Sequence, residues 1–282
     1  MKFSRVSKSI HLDEIFDYDI YQKIEDEQPY YEINSIIVFN GANSKKEEWS
    51  QLFIEQVFEH TKINEIIVYN YRGVKNKFGE KVKRLSDYQL DLLANDFNEL
   101  ANQLYREHWN PNINLNIYLF GYSFGGFVVQ DYLKNFKLKN LAGVIFLATS
   151  CYHCYDIDIK RYFQYYHKYQ KFAEKHKKKE EEMKKEKGKH LIFYQVFPLV
   201  SKRILQKKHC VFKNHYIKDV PFLYITCEND ELFQYKKNID CITQNYNNVY
   251  HVPLKSMFHG IMFYHPDIPT RICVNFFQKM LK

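Results

Sequence analysis

Short, β-rich apolar runs recur along the chain: SIIVFN (35–40), EIIVYNY (65–71), LNIYLF (115–120), LAGVIFLAT (141–149), PFLYITC (221–227) and NVYHVPL (248–254). Near-continuous apolar runs of this length predict strands buried on both faces, as in a parallel sheet. Between them the apolar positions shift to helical spacing. KKEEWSQLFIEQVFEHT (45–61) puts Trp49, Leu52, Phe53, Gln56 and Val57 on one side. SDYQLDLLANDFNELANQLYREHW (86–109) repeats Leu90, Leu93, Phe97, Leu100 and Leu104 at three- and four-residue steps, with Ser86 as the candidate N-cap. HPDIPTRICVNFFQKMLK (265–282) ends the chain on another such stripe. Strands alternating with helices predict an α/β fold, a mostly parallel twisted sheet flanked by helices.

One segment breaks the alternation. From about Tyr152 to Lys218 no strand is predicted; RYFQYYHKYQKFAEKHKKKEEEMKKEKGKH (161–190) reads as helical and aromatic-rich, followed by LIFYQVFPLVSKRILQKKH (191–209). The chain thus divides into a core, 1–151 with 219–282, and a helical insertion, 152–218. The insertion carries 18 Lys and Arg against 7 Asp and Glu, a net of +11, whereas the whole chain carries +8. The positive charge is therefore local to the insertion, and the rest of the chain is slightly acidic. A solvated helix laced with i,i+4 ion pairs accounts for the charge run. The sharper alternative is a basic surface that meets an anionic membrane or another acidic partner. No nucleic-acid recognition motif accompanies it, and no nucleic acid is expected as a partner.

Composition sets the remaining bounds. A chain of 282 residues, 45% hydrophobic and 26% charged, buries a sizeable core. No apolar stretch approaches the ~18 to 20 residues that span a bilayer. The N-terminus, MKFSRVSKSIHLDEIFDYD, lacks the apolar centre of a secretory signal and turns acidic at Asp13. Its first twelve residues hold Lys2, Arg5 and Lys8 without an acid, and Phe3, Val6 and Ile10 fall at roughly helical spacing. A mitochondrial presequence is therefore the alternative to a cytoplasmic location. Six cysteines without a secretory signal point to reduced thiols.

Glycine is scarce, 9 residues in all, yet three fall within LFGYSFGG (119–126). LNIYLF reads as a buried strand and GGFVVQDYLKNF (125–136) as a helix, so Gly121-Tyr122-Ser123-Phe124-Gly125 sits at a strand-to-helix junction. This is the G-x-S-x-G pattern of a nucleophile elbow, a sharp turn that lifts the serine hydroxyl above the C-terminal sheet edge. Gly121 and Gly125 leave the turn free of side chains that would collide. The bland reading is a glycine-rich turn holding an ordinary serine.

A base and an acid follow in the chain order of elbow-bearing hydrolases. Asp230, in ENDELF, comes just past one predicted strand, and His259, in KSMFHG, just past the next. His259 would take the Ser123 proton, and Asp230 would orient and stabilise the imidazole. Glu228, Glu231 and Asp156 are the competing acids; His251, His265 and His153 are the competing bases. CYHC (151–154), with His209 and Cys210, imitates a zinc site, but its spacing lacks the usual paired pattern, so no metal and no cofactor is expected. The stripe of Tyr162, Tyr166, Tyr169 and Ala173, with Phe163 and Phe172, suits packing within the insertion or the lining of an apolar acyl pocket.

These motifs, in order and in register, resemble the lid-bearing α/β-hydrolases of the abhydrolase-1 type. FNGANSKKEEW (39–49) resembles the family's His-Gly turn, and YNYRGVKNKFGE (69–80) its Arg-Gly segment. DYQLDLLANDF (87–97) resembles the helix before the elbow strand, and FHGIMFYHPDIPTRICVNFFQKML (258–281) the catalytic His with the closing helix. The resemblance implies an oxyanion hole made by the backbone N–H groups of Phe124 and Ala42, with 152–218 as the lid. Asn40 stands where the family usually has His, and YRGVKNKF lacks the small residue that ends the family motif. The implied activity is that of a serine hydrolase cleaving small-molecule carboxylic esters through an acyl-enzyme. The aromatic, basic lid raises lipid-like esters as candidates. Two other classes stay open: an inactive hydrolase-fold subunit with a binding role, and a small-molecule receptor.

Overall fold

The computed structural model describes residues 2–11, 15–24, 31–41, 44, 46–72, 90–150, 217–230, 233, 236, 239–240, 242–243 and 246–282. Eight strands form one sheet in the order β1-β2-β4-β3-β5-β6-β7-β8. They are β1 (Phe3–His11), β2 (Ile15–Lys23), β3 (Glu32–Phe39), β4 (Glu65–Tyr69), β5 (Asn114–Tyr122), β6 (Leu141–Leu147), β7 (Phe222–Cys227) and β8 (Val249–Leu254). From β4 to β8 all neighbours are parallel; β1 and β2 add an antiparallel edge. The described helices are α1 (Gln51–His60), α2 (Leu90–Glu107), α3 (Phe124–Asn135), α4 (Ile261–Tyr264) and α5 (Asp267–Met280).

Both faces of the central strands are covered, which is why those strands read as unbroken apolar runs. Ile37, Phe39, Ile117 and Leu119 point into one core with Leu93, Phe97, Leu104 of α2 and Phe127, Tyr132 of α3. Ile36, Val38, Tyr118 and Phe120 point into the other, with Phe53, Val57 of α1 and Cys273, Phe277 of α5. Each such buried side chain contributes on the order of 1.5–3 kcal/mol. The five apolar positions expected on α2 are all buried. On α1 the buried stripe is Phe53, Ile54, Val57 and Phe58, rotated from the expected one, and Leu52 is exposed. Ser50 caps that helix by accepting from the Phe53 N–H, so Trp49 precedes it rather than belonging to its stripe.

The N-terminus departs from expectation. The helical spacing of Phe3, Val6 and Ile10 does not make a helix: residues 3–11 pair along their whole length with β2. Pairing overrides so short a periodic signal, and Phe3 gains ring contacts with Tyr21 and Phe58 that only the strand alternation provides.

At the N-terminal end of the strands, Glu65 is a buried hub. It accepts hydrogen bonds from Ser35 Oγ at 2.8 Å and Trp109 Nε1 at 2.9 Å, and pairs with His108. Burial raises its carboxyl pKa, but these donors outweigh that and leave it below the usual range. Strands β6 and β7 are parallel neighbours, so the end of β6 and the start of β7 lie at opposite ends of the sheet. The lid assigned to 152–218 lies outside the described residues, apart from Ile217 and Lys218. Among the described residues no helix is long and apolar enough to cross a membrane.

Candidate active site

The site is built where β5 turns into α3. Ser123 sits alone between them at φ 52°, ψ −117°. A non-glycine residue held there costs on the order of 1–3 kcal/mol. The surrounding glycines make the turn possible. A Cβ on Gly121 would lie 2.7 Å from the Gly126 Cα, and one on Gly125 would lie 2.0 Å from the Phe39 carbonyl oxygen. The Ser123 N–H donates to the Leu147 carbonyl at 2.9 Å, which fixes the elbow against β6.

His259 arrives from the loop after β8 and Asp230 from the turn after β7. The Ser123 hydroxyl lies 2.7 Å from His259 Nε2. His259 Nδ1 lies 3.0 and 3.2 Å from the two Asp230 carboxylate oxygens. A proton on Nδ1 satisfies the carboxylate and leaves the Nε2 lone pair facing the hydroxyl. Asp230 is itself held: its Oδ1 accepts from the Phe233 N–H at 2.9 Å. The two loops are stitched together by Glu228 N–H to Leu254 O and Asn229 N–H to Met257 O, both 3.0 Å.

The described competitors lie elsewhere. His251 Nε2 is 2.9 Å from Thr226 Oγ1, and burial lowers its pKa. His265 and Glu228 are exposed. Glu231, Asp156 and His153 lie outside the described residues, as do Cys151, Cys154, His209, Cys210 and the Tyr162–Ala173 stripe. Among the described residues no three His, Cys, Asp or Glu side chains come together to hold a metal.

Phe124 opens α3, so its N–H sits at the positive end of the helix dipole. Ala42 lies outside the described residues, but its neighbour Gly41 is packed against the site. A Cβ there would be 3.2 Å from the Tyr122 ring and 3.5 Å from the Ser123 Cβ. Asn40 has a structural task of its own: its side-chain amide N–H donates to the Tyr69 carbonyl at 3.0 Å, and its main-chain carbonyl accepts from the Tyr71 hydroxyl at 2.8 Å. Arg72 of the Arg-Gly segment makes a buried fork with Asp96 of α2.

Two aromatic residues that the motifs did not single out hold the imidazole. Tyr122 donates its hydroxyl to the His259 carbonyl at 3.0 Å and stacks on the ring at 6.0 Å. Phe233 meets the same ring edge-on at 5.4 Å. The signal for Tyr122 was its place beside the serine; Phe233 had none. A small recess opens beside Tyr122, lined also by Asn40, Ser44, Trp49, Ser50, Met262 and Phe263. Phe263 of that lining stands half-exposed.

The comparisons with known proteins concern the scaffold. No family model and no curated protein sequence matches the chain. Solved structures do. An esterase of Pyrococcus furiosus superposes with a TM-score of 0.64 at 14% identity, over 99% of this chain and 92% of that one. An α/β-hydrolase fold protein from Chitinophaga pinensis gives 0.61 at 14% identity, over 96% of each. The chain has the α/β-hydrolase fold. A bacterial membrane phospholipase A is a third structure with this fold, at 0.63 and 12% identity, over 98% of this chain and 86% of that one. In the hydrolase fold of this protein, the ends of β3, β5, β7 and β8 supply the loops that meet at Ser123.

Proposed function

We propose that the protein is a serine hydrolase that cleaves carboxylic esters through an acyl-enzyme. The observation that carries this is the unbroken relay from Ser123 Oγ through His259 to Asp230. Ser123 Oγ attacks the ester carbonyl carbon as His259 Nε2 takes its proton. The tetrahedral oxyanion is stabilised by the N–H of Phe124, with the Ala42 N–H as second donor. Collapse breaks the carbon–oxygen bond to the alcohol, and His259 returns the proton to that leaving oxygen. Water then repeats the sequence on the acyl-enzyme, releasing the acid and restoring the serine. Asp230 holds the imidazole in the tautomer this requires and offsets its transient charge.

Apolar acyl or alcohol groups are favoured as substrates, because Trp49, Tyr122, Met262 and Phe263 form an apolar side of the recess. Of the two readings of the basic 152–218 segment, a solvated ion-paired helix and a weak contact with an anionic membrane surface, the second is the one a binding experiment tests. Vesicle binding indifferent to salt would remove that second reading. The hydrolase reading is tested with a fluorophosphonate probe and p-nitrophenyl esters. The parent chain is expected to label and turn over, and Ser123→Ala to lose about 10⁴-fold or more in kcat. A folded parent that neither labels nor hydrolyses would leave the binding-subunit reading in its place.

A further inference from the structure

Lys46 is a lysine with almost no exposed surface, which is rare unless the charge is paired. It lies past β3 on the segment that starts at Asn40-Gly41 beside Ser123. Its Nζ lies 2.7 Å from Oδ1 of Asp19, a fully buried residue of β2. Asp19 also accepts from Arg5 Nη2 at 2.6 Å and Ser7 Oγ at 2.7 Å, both on β1. The main chain of Lys46 is held as well: its N–H donates to Asn70 Oδ1 at 2.8 Å, just past β4.

Burying such a pair brings little net stability, since desolvation of two charges offsets much of their attraction. Apolar replacements of similar volume are commonly neutral or stabilising. What the pair does provide is position. Gly41, at one end of the segment, lies close enough that an added Cβ would touch Ser123; Lys46, at the other, is fastened to the antiparallel edge of the sheet. Resting on the hydrolase reading above, we infer that Asp19 and Lys46 are positioning residues, which fix the far side of the turn that Ser44 N–H closes on Gly41 O, and with it the oxyanion donor proposed on that turn. The antiparallel hairpin β1–β2 thereby takes part in catalysis without touching substrate.

The test is Lys46→Met, which removes the ammonium and keeps most of the volume. Asp19 keeps Arg5 and Ser7 as partners, so the variant is expected to fold with a melting temperature close to the parent's. With p-nitrophenyl acetate, kcat is expected to fall by ~10- to 10²-fold, the cost of displacing a catalytic donor by about an ångström. KM is expected to change less than about threefold, since the loss falls on the transition state. The double variant Asp19→Leu/Lys46→Met, with both charges gone, is expected to match it. A folded Lys46→Met with parental kcat overturns the inference and leaves the hydrolase reading standing. So does failure of both variants to fold, which would make the pair a stabilising element. A parent chain unreactive to fluorophosphonate overturns the hydrolase reading and this one with it.

Discussion

Gly125→Ala puts the elbow geometry to a quantitative test. The added methyl would sit 2.0 Å from the Phe39 carbonyl oxygen, 2.5 Å from its carbon and 2.8 Å from the Asn40 carbonyl oxygen. Packed carbons do not approach closer than about 3 Å, so α3 and the end of β3 must part by about 1 Å. The colliding atoms are main chain in the middle of a sheet, and no rotamer change relieves them. Overpacking of this kind costs roughly 1–3 kcal/mol, which in a protein of this size lowers the melting temperature by roughly 2–12 °C. The larger effect is on rate. The same displacement moves Ser123 against the Asn40–Gly41 segment, and misplacement by about an ångström costs on the order of 10² in kcat.

Gly126→Ala is the control. The three atoms nearest its methyl would all belong to the Thr149 side chain, Oγ1 at 2.3 Å, Cγ2 at 2.5 Å and Cβ at 2.6 Å. Thr149→Gly is therefore expected to restore stability to Gly126→Ala, with a coupling of about 1 kcal/mol or more in a double-mutant cycle, and to restore nothing to Gly125→Ala. Thermal melts and p-nitrophenyl acetate hydrolysis read both quantities. Gly125→Ala with parental melting temperature and parental kcat would refute the reasoning.

Three further outcomes are expected. Glu65→Leu strands the Trp109 and Ser35 donors, each at a cost of about 1–3 kcal/mol, and urea denaturation should show a loss of roughly 2–6 kcal/mol while kcat of the folded fraction is unchanged. Acid should destabilise the protein through Glu65 and Asp19. Both carboxyls lie below their ordinary values in the folded state, so their contribution is complete above about pH 4–5 and is lost as pH falls through the folded values. Melting temperatures measured from pH 6 to pH 3 should fall, and Glu65→Leu should flatten the slope. Tyr122→Phe removes the hydrogen bond to the His259 carbonyl, worth about 0.5–1.5 kcal/mol, and kcat should drop by roughly two- to tenfold with the fold intact.

The parallel strands could be read from the sequence because both of their faces are buried. Ile36 and Ile37 go to opposite cores, and the run carries no polar alternation to confuse it. The hairpin β1–β2 could not, because its positions are mixed. Arg5 and Ser7 of β1 face Asp19, so a fully buried acid is matched by half-exposed partners rather than by apolar neighbours. The same limit hid Lys46. In a chain with 41 Lys and Arg, a lysine is distinguished only by what lies 27 residues away across the sheet. That Ser123, Asp230 and His259 come together was legible because each follows a strand, and parallel strands deliver their following loops to one edge. The residues that hold them, Tyr122 and Phe233, are placed by ring packing, which leaves no spacing to read.

At the N-terminal end of β4, Glu65 has its donors, Asn64 accepts from the Asn34 N–H, and the Asn34 amide donates to Lys62 O. At the C-terminal end matching is incomplete. Asn40 Oδ1, Asn70 Nδ2, Gln130 Oε1 and Thr149 Oγ1 are buried without a hydrogen-bond partner among the described residues, and Ser123 adds its strained backbone. Unmatched groups and strain persist only where the surrounding structure over-determines them. The Glu65 hub and the two apolar cores supply that determination, and the strained edge is where Ser123 stands, the nucleophile of the proposed reaction. Substitutions that relax this edge should therefore raise the melting temperature and lower kcat together, whereas those at the Glu65 end should move stability alone.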